Sequence, residues 1–218
     1  MKKIIITGGL GYIGSELCKI YSGYSWNDKV IVIDNRFISE RVNQLRNWNM
    51  EFIHGDILDK ELIKRYCHDA DIVHHLAGIT DVPRVTSEAS VEKEKKIKIV
   101  AEEGTQNILD VINDDCKIIM PSKHVVYEGI NEVRKDILEN EETCPVLAYG
   151  KSKDYNEKQL KNSGKKFIII RLGSVYGYST DTARIDIMAN FFSKMASQNG
   201  ILKLFGGGRQ LKSLVPLI

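Results

Sequence analysis

Short apolar runs alternate with longer amphipathic segments along this chain. The apolar runs, rich in isoleucine and valine, predict strands at residues 3–7, 29–34, 50–54, 72–76, 117–121 and 167–172. Between them, apolar residues recur at three- and four-residue spacing and predict helices at about 12–23, 59–68, 88–113 and 149–162. Buried strands joined by crossover helices are typical of an α/β fold, so we predict a doubly wound parallel sheet.

The pattern becomes less regular after residue 175. Residues 184–199 predict a helix, residues 201–205 a short strand, and Gly206-Gly207-Gly208 a turn. We expect residues 1–175 to form one domain and residues 176–218 to be the beginning of a small C-terminal lobe. We expect this lobe to be truncated: the chain ends in an apolar stretch at 214–218 that would leave hydrophobic surface in need of cover from missing sequence or a partner subunit.

Charge and cysteine spacing exclude several classes of function. Lys plus Arg number 31 against 29 Asp plus Glu, which gives no field that would attract nucleic acid or an acidic membrane. The cysteines form no CxxC pair, so neither a metal site nor a disulfide framework is expected. No apolar run is long enough for a signal segment or a membrane span, and we expect a protein of the reducing cytoplasm.

A glycine-rich loop joins the first predicted strand to the first predicted helix. The segment Thr7-Gly8-Gly9-Leu10-Gly11-Tyr12-Ile13-Gly14 satisfies both GxxGxxG and GxGxxG, and glycines there allow backbone amides to approach a pyrophosphate at the helix N-terminus. Asp34 ends the second strand twenty residues beyond Gly14, where a carboxylate binds ribose hydroxyls. The carboxylate favours NAD over NADP, although Arg36 nearby leaves that choice partly open.

An ordered set of motifs extends this signal over nearly the whole chain. The glycine loop is followed by Gly55-Asp56-Ile57, His75-Leu76-Ala77-Gly78, Val126-Tyr127, Tyr149-Gly150-Lys151-Ser152-Lys153 and Arg171-Leu172-Gly173-Ser174-Val175-Tyr176-Gly177. With this set the chain resembles the extended short-chain dehydrogenase/reductase family, the NAD-dependent epimerases and dehydratases of nucleotide sugars. The resemblance implies a Rossmann-like domain and a C-terminal substrate-binding lobe.

The resemblance also implies which residues hold the cofactor. They are Gly8, Gly11, Tyr12, Ile13, Gly14, Asp34, Asn35, Asp56, Ile57, Leu76, Ala77, Gly78, Tyr149 and Lys153. Asp56 and Ile57 are expected at the adenine, and Leu76-Ala77-Gly78 along the cofactor. Simpler interpretations stay open, because Asp56 could cap a helix that starts near Asp59 and Ala77-Gly78 could be only a turn.

Tyr149 and Lys153 are the candidate catalytic pair. Four residues apart on a predicted helix, their side chains share one face. We expect the ammonium to lower the tyrosine pKa, so that Tyr149 exchanges a proton with a sugar hydroxyl while hydride moves to or from nicotinamide. By family resemblance Lys153 also binds the nicotinamide ribose.

One catalytic position departs from the family pattern. Family members carry Ser or Thr four residues before the tyrosine of Val-Tyr, and this chain has Lys123 there. Either the adjacent Ser122 is re-aimed by a bulge, or Lys123 itself polarises the sugar oxygen or meets a substrate carboxylate or phosphate, or the usual reaction is lost. His124 is expected to pack beside the strand end rather than to act as a base.

Four residues are candidates for substrate binding. Thr80 and Arg84, with Asp81 between them, follow the fourth strand, while Ser174 replaces a family asparagine and Lys212 a family arginine near the substrate diphosphate. The leading hypothesis is an NAD-dependent nucleotide-sugar epimerase or dehydratase. The alternative is a non-catalytic NAD-binding protein, or a remnant of such an enzyme. A homodimer through the helices at 88–113 and 149–162 is possible, but packing on the sheet explains their apolar faces equally well.

Overall fold

A parallel sheet forms the centre of the fold. The computed structural model describes residues 1–24, 27–80, 90–179, 184–209 and 211–217. The strands of the main sheet are β1 Lys3–Thr7, β2 Lys29–Asp34, β3 Glu51–His54, β4 Ile72–His75, β5 Lys117–Lys123 and β6 Lys166–Leu172. They pair in parallel in the order β3-β2-β1-β4-β5-β6. All six predicted strands are therefore present, with ends that differ by at most two residues.

Helices cover both faces of this sheet. They are α1 Tyr12–Gly23, α2 Ser39–Asn47, α3 Lys60–Cys67, α4 Val91–Val111, α5 Ala148–Asn162 and α6 Met188–Ser197. Alternate residues of β1 enter different cores, because Ile4 and Ile6 pack with α1 and α2 whereas Ile5 packs with α3, α4 and α5. This arrangement confirms the predicted doubly wound sheet.

The strand order reverses between β1 and β4. At that point the connections leave the sheet towards opposite faces and open a crevice at the carboxyl ends of the strands, where such folds bind ligands. The glycine loop follows β1, and residues 76–80 follow β4. Both segments therefore lie at this crevice.

The C-terminal region differs from its prediction. Residues 201–204 are irregular and exposed, so the strand predicted at 201–205 is wrong: the apolar run finds no strand partner among the described residues. The helix predicted at 184–199 is present as α6, and Gly207 and Gly208 adopt left-handed φ values of 69° in the predicted turn. A second small sheet pairs β7 Ser174–Tyr176 with β8 Leu214–Pro216 in parallel.

No helix within the described residues combines enough length with enough apolar character to cross a bilayer.

Candidate active site

The glycine loop is tightly folded against the end of β4. Gly8 has a left-handed φ of 72°, and its carbonyl oxygen accepts a hydrogen bond from the Gly11 amide at 3.0 Å. A Cβ on Gly8 would lie only 2.7 Å from the Ala77 amide nitrogen, and one on Gly14 would lie 2.3 Å from the Gly8 oxygen. Side chains at these positions would push the loop away from the crevice.

The N-terminus of α1 is free to receive an anion. Its N-cap residue is Gly11, no side chain caps it, and its first turn holds no acidic residue. The amides of Tyr12, Ile13 and Gly14 precede the first hydrogen bond within the helix, so they are donors that an anion could use. These are the properties that the sequence motif predicts for a pyrophosphate site.

Asp34 fixes this loop as well as ending β2. One carboxylate oxygen accepts the Leu10 amide at 2.9 Å, and the other accepts the Arg36 amide at 2.9 Å. The Arg36 Nε atom lies 3.5 Å from the carboxylate. Sequence reasoning identified Asp34 as a candidate ribose ligand but missed its bond to Leu10, which no motif encodes.

The residues predicted at the adenine lie beside the ends of β2 and β3. The Asn35 side chain donates to Asp56 at 3.0 Å, and Asp56 also accepts the Leu58 amide. Asp59, not Asp56, caps α3, since its carboxylate accepts the Leu62 amide. The helix-cap interpretation of Asp56 is therefore wrong.

Ile57 is less available than its motif suggests. Its side chain is 5% exposed and packs against Gly104, where a Cβ would lie 2.3 Å from Ile57 Cδ1. The Asn107 amide group donates to the Ile57 carbonyl oxygen at 3.0 Å. A contact of Ile57 with a cofactor would therefore involve its backbone more than its side chain.

A buried polar network links the glycine loop to α5. The Thr7 hydroxyl and His75 Nδ1 are 2.9 Å apart, and Thr7 also accepts the Ala77 amide at 3.2 Å. On its other side, His75 Nε2 lies 3.0 Å from the Thr105 hydroxyl, which accepts from Asn156. Burial lowers the pKa of His75 to about 3, helped by the charge of Lys153. This neutral histidine is bonded to the same Thr7 hydroxyl as the Ala77 amide, so the network holds the residues that follow β4. The sequence motif includes His75, but nothing in the sequence indicates its bonds to Thr7 and Thr105.

Tyr12 joins the loop to the C-terminal region. Its hydroxyl donates to the Gly177 carbonyl oxygen at 2.5 Å and accepts from the Asn190 side chain at 3.2 Å. The Ser179 hydroxyl in turn donates to the Tyr12 carbonyl oxygen at 3.0 Å. The side chain of Tyr12 therefore faces the C-terminal region, which leaves its amide for the anion site.

Tyr149 and Lys153 come together as the helical spacing predicts. Both lie on α5, and the Lys153 ammonium is 5.8 Å from the centre of the Tyr149 ring. The ammonium donates to the Pro121 carbonyl oxygen at 3.2 Å, near the end of β5. The pair therefore faces the carboxyl edge of the sheet.

The expected lowering of the Tyr149 pKa is wrong for this structure. Burial raises the pKa of Tyr149 to about 12, and the charge that opposes this rise belongs to Arg184. Burial also lowers the pKa of Lys153 to about 8, with Glu157 opposing the change and Lys123 adding to it. Arg184 is thus an electrostatic partner of Tyr149 that sequence reasoning missed, because it lies in an irregular segment without a motif.

The Ser122 hydroxyl does not replace the missing family residue. It is 2% exposed and donates to the Glu157 carboxylate at 2.5 Å. Glu157 lies two helical turns beyond Tyr149, or about 12 Å along the axis, and also receives Arg171 in an ion pair of 2.6 Å. The pairing of β5 with β6 is continuous from Lys117 to Lys123, so no bulge re-aims Ser122.

Lys123, at the position where the family carries a hydroxyl, is the last residue of β5. Its ammonium donates to the Gly173 carbonyl oxygen at 2.5 Å. Burial, together with the charges of Arg184 and Lys212, lowers the Lys123 pKa to about 8. His124 packs at the strand end as expected, with Nδ1 3.2 Å from the Leu172 carbonyl oxygen, and burial lowers its pKa.

The predicted substrate residues are only partly brought together. Arg184 donates to the Thr80 hydroxyl at 2.7 Å and to the Thr80 carbonyl oxygen at 3.1 Å. Ser174 begins β7, and its amide donates to the Ser213 carbonyl oxygen at 2.7 Å, which places exposed Lys212 next to this strand pair. Asp81 and Arg84 lie outside the described residues.

Comparison with known proteins gives one family. The model of the NAD dependent epimerase/dehydratase family matches residues 4–215. CDP-paratose 2-epimerase of Salmonella typhi is 28% identical, over 98% of this chain and 70% of that protein. The dTDP-D-glucose 4,6-dehydratase of Dictyostelium discoideum is 29% identical, over 81% of this chain but only 44% of that protein.

A solved structure has the same fold. The UDP-glucuronic acid 4-epimerase of Bacillus cereus, in complex with UDP-4-deoxy-4-fluoro-glucuronic acid and NAD, superposes with a TM-score of 0.83 at 25% identity. The match covers 99% of this chain and 69% of that one.

Proposed function

This chain belongs to the NAD-dependent epimerase/dehydratase family, and we propose that it transiently oxidises a sugar hydroxyl of a nucleotide sugar. The observation that carries the proposal is the placement of Tyr149 and Lys153 on one face of α5, at the same sheet edge as the glycine loop. An epimerase or a dehydratase reaction is compatible with this pair. The relatives with these activities support the substrate class.

The glycine loop and Asp34 fit a dinucleotide. The uncapped N-terminus of α1 would hold the pyrophosphate through the amides of Tyr12, Ile13 and Gly14, and Asp34 would accept ribose hydroxyls. Asn35 and Asp56 would lie beside the adenine, and Leu76, Ala77 and Gly78 along the cofactor. When bound, NAD would take up a hydride from the sugar carbon and later return one.

Tyr149 would move the hydroxyl proton. As phenolate it would accept the proton of the sugar hydroxyl as the carbonyl forms, and as phenol it would return that proton. With a pKa of about 12 very little of the Tyr149 side chain is phenolate at neutral pH, so a positive charge that favours the phenolate matters. The charge of Arg184 favours the phenolate, and Lys153 would also orient the nicotinamide ribose.

A second candidate is a non-catalytic NAD-binding protein. One observation favours it: the family hydroxyl is replaced by Lys123, and the neighbouring Ser122 hydroxyl is bonded to Glu157. In this alternative the dinucleotide binds but no sugar turns over.

Product analysis separates the two candidates. The full chain is incubated with NAD and UDP-, GDP-, CDP- and dTDP-sugars, and each sugar is examined by NMR. We expect one class to be converted, with a loss of at least about 100-fold in Tyr149→Phe and none in the control Tyr155→Phe, an exposed tyrosine on the same helix. Undiminished turnover by Tyr149→Phe would contradict the mechanism. NAD binding without conversion of any sugar would support the non-catalytic alternative.

A further inference from the structure

The first residue of α1 is held by the C-terminal region through both its side chain and its backbone. The Tyr12 hydroxyl donates to the Gly177 carbonyl oxygen at 2.5 Å, and the Tyr12 carbonyl oxygen accepts from the Ser179 hydroxyl at 3.0 Å. Tyr12 is 8% exposed and Ser179 is 4% exposed, so these bonds lie in a mostly buried environment, where a hydrogen bond is electrostatically stronger than in water. A distant part of the chain therefore fixes the residue whose amide begins the anion site.

Asn190, in the first turn of α6, connects three parts of this contact. Its side-chain oxygen accepts the Gly177 amide at 3.0 Å. Its side-chain nitrogen donates to the Tyr12 hydroxyl at 3.2 Å and to the Arg184 carbonyl oxygen at 3.1 Å. An asparagine side chain has two N–H donors, so these bonds use both of them. Asn190 therefore links the first turn of α6 to the first turn of α1 and to the segment that precedes α6.

The bonds continue from Asn190 to the opposite side of the crevice. Arg184 donates to the Thr80 hydroxyl at 2.7 Å and to the Thr80 carbonyl oxygen at 3.1 Å. Tyr12 follows β1 and Thr80 follows β4, the two strands between which the strand order reverses. We call Tyr12, Asn190, Arg184 and Thr80 the bridge. It connects the two segments that border the crevice.

We propose that Tyr12 and Asn190 are positioning residues that couple NAD binding to the conformation of the C-terminal region. An anion bonded to the Tyr12 amide would fix the backbone of this residue, and with it the hydroxyl that is bonded to Gly177 and Asn190. The bridge would then hold Arg184 against Thr80, so that the C-terminal region is in place when the cofactor is bound. This coupling rests on the dinucleotide site that both candidate functions share.

Reciprocity distinguishes such coupling from a purely structural contact. If NAD favours the bonded state of the bridge, the bonded bridge favours NAD by the same factor. Loss of the Tyr12 hydroxyl leaves the amide donors of α1 in the chain, but NAD binding must then order a segment that the wild type presents already in place. A purely structural contact would change the free energy of unfolding and leave the response of α6 to NAD as it was.

Amide hydrogen exchange with and without NAD tests the coupling. In the wild-type full chain we expect NAD to slow exchange both in α1 and at residues 184–197. In Tyr12→Phe, NAD should still slow exchange in α1 but not at residues 184–197, and its affinity should be about three- to tenfold weaker, as expected for the loss of one or two hydrogen bonds. The matched control is Tyr178→Phe, whose side chain is 76% exposed in the same region, and it should behave as wild type.

A shorter ligand shows whether the effect passes through Tyr12. ADP-ribose carries the pyrophosphate but lacks the nicotinamide ring, so it should slow exchange at residues 184–197 as NAD does. If NAD slows exchange there and bound ADP-ribose does not, the nicotinamide acts on the C-terminal region directly and the coupling through Tyr12 is wrong. Combining Asn190→Ala with Tyr12→Phe should weaken NAD binding little beyond either single change, because both remove the same bond. Fully additive losses would contradict the bridge.

A second variant protects the test against misfolding. Asn190→Asp keeps an acceptor for the Gly177 amide and loses both donors, and an acidic residue in the first turn of a helix is favourable. It should lose the response of residues 184–197 to NAD, as Tyr12→Phe does, while circular dichroism shows that both variants are folded. A response that persists in both folded variants, or that is absent in wild type with NAD bound, overturns the coupling alone. If folded wild type binds no NAD, the proposed function fails and the coupling falls with it.

Discussion

Ser122 and Lys123 are consecutive on β5, and their polar groups point to different parts of the molecule. The Ser122 hydroxyl donates to Glu157, whereas the Lys123 ammonium donates to the Gly173 carbonyl oxygen, each at 2.5 Å. Side chains alternate between the two faces of a strand, and the unbroken pairing of β5 with β6 preserves that alternation. The position at which relatives are expected to have a hydroxyl therefore carries an ammonium group that is bonded to a backbone carbonyl oxygen.

Removing the Ser122 hydroxyl should affect stability more than catalysis. Ser122→Ala leaves buried Glu157 with one donor fewer, so we expect the free energy of unfolding to fall by about 1–3 kcal/mol. Turnover should change by less than about tenfold, since loss of an acid-base group costs about 10²–10⁴. Urea unfolding and sugar turnover are measured together, with the exposed Ser197→Ala as control. A large loss of turnover at unchanged stability would place Ser122 in the reaction.

A methyl group on Gly8 should disrupt the nucleotide loop. In Gly8→Ala the alanine would have to adopt a left-handed φ, and its Cβ would lie 2.7 Å from the Ala77 amide nitrogen. We therefore expect the free energy of unfolding to fall by about 2 kcal/mol or more. In the control Gly23→Ala, the added Cβ has no heavy atom within 4 Å and stability should not fall. Urea unfolding of both variants measures the difference. Equal stability of the two would contradict the packing of the loop on β4.

Acid should destabilise the chain through its buried histidines. The pKa of His75 is about 3 in the folded state, below its ordinary value, so below about pH 6.5 the unfolded chain binds a proton that the native chain does not. The free energy of unfolding should then fall by up to about 1.4 kcal/mol per pH unit for this group. His74, with a folded pKa of about 4, adds to the effect.

Urea unfolding between about pH 7 and about pH 5 measures this dependence. His75→Gln should reduce the slope against pH even where it lowers overall stability. A slope that His75→Gln leaves unchanged would show that His75 does not titrate as described.

The strongly patterned parts of the fold were predictable from the sequence. The strands of the main sheet are continuous apolar runs, and the glycine loop has a steric requirement that few residues meet. By contrast, α2 was missed because it buries only Val42 and Leu45 in a largely polar segment. The strands β7 and β8 have three residues each and pair across about forty residues, so no local pattern identifies them.

The same holds for the candidate site: residues with a local sequence pattern were predictable, and residues whose role depends on distant contacts were not. Tyr149 and Lys153 follow from helical spacing, and Asp34 from its distance to the loop. Arg184 was missed because its role depends on Thr80, 104 residues away in the sequence. The predicted lowering of the Tyr149 pKa was wrong, because helical spacing predicts a cationic neighbour but not how deeply the tyrosine is buried.

The dinucleotide site formed by the glycine loop and Asp34 is required by both functions proposed for this chain. Calorimetric titration of the full chain with NAD measures it directly, with Asp34→Asn for comparison. We predict saturable binding by the wild type and at least about tenfold weaker binding by Asp34→Asn, because the variant loses the carboxylate that accepts the Leu10 amide and that we propose to accept ribose hydroxyls. The absence of any NAD binding by folded wild-type protein would contradict the account.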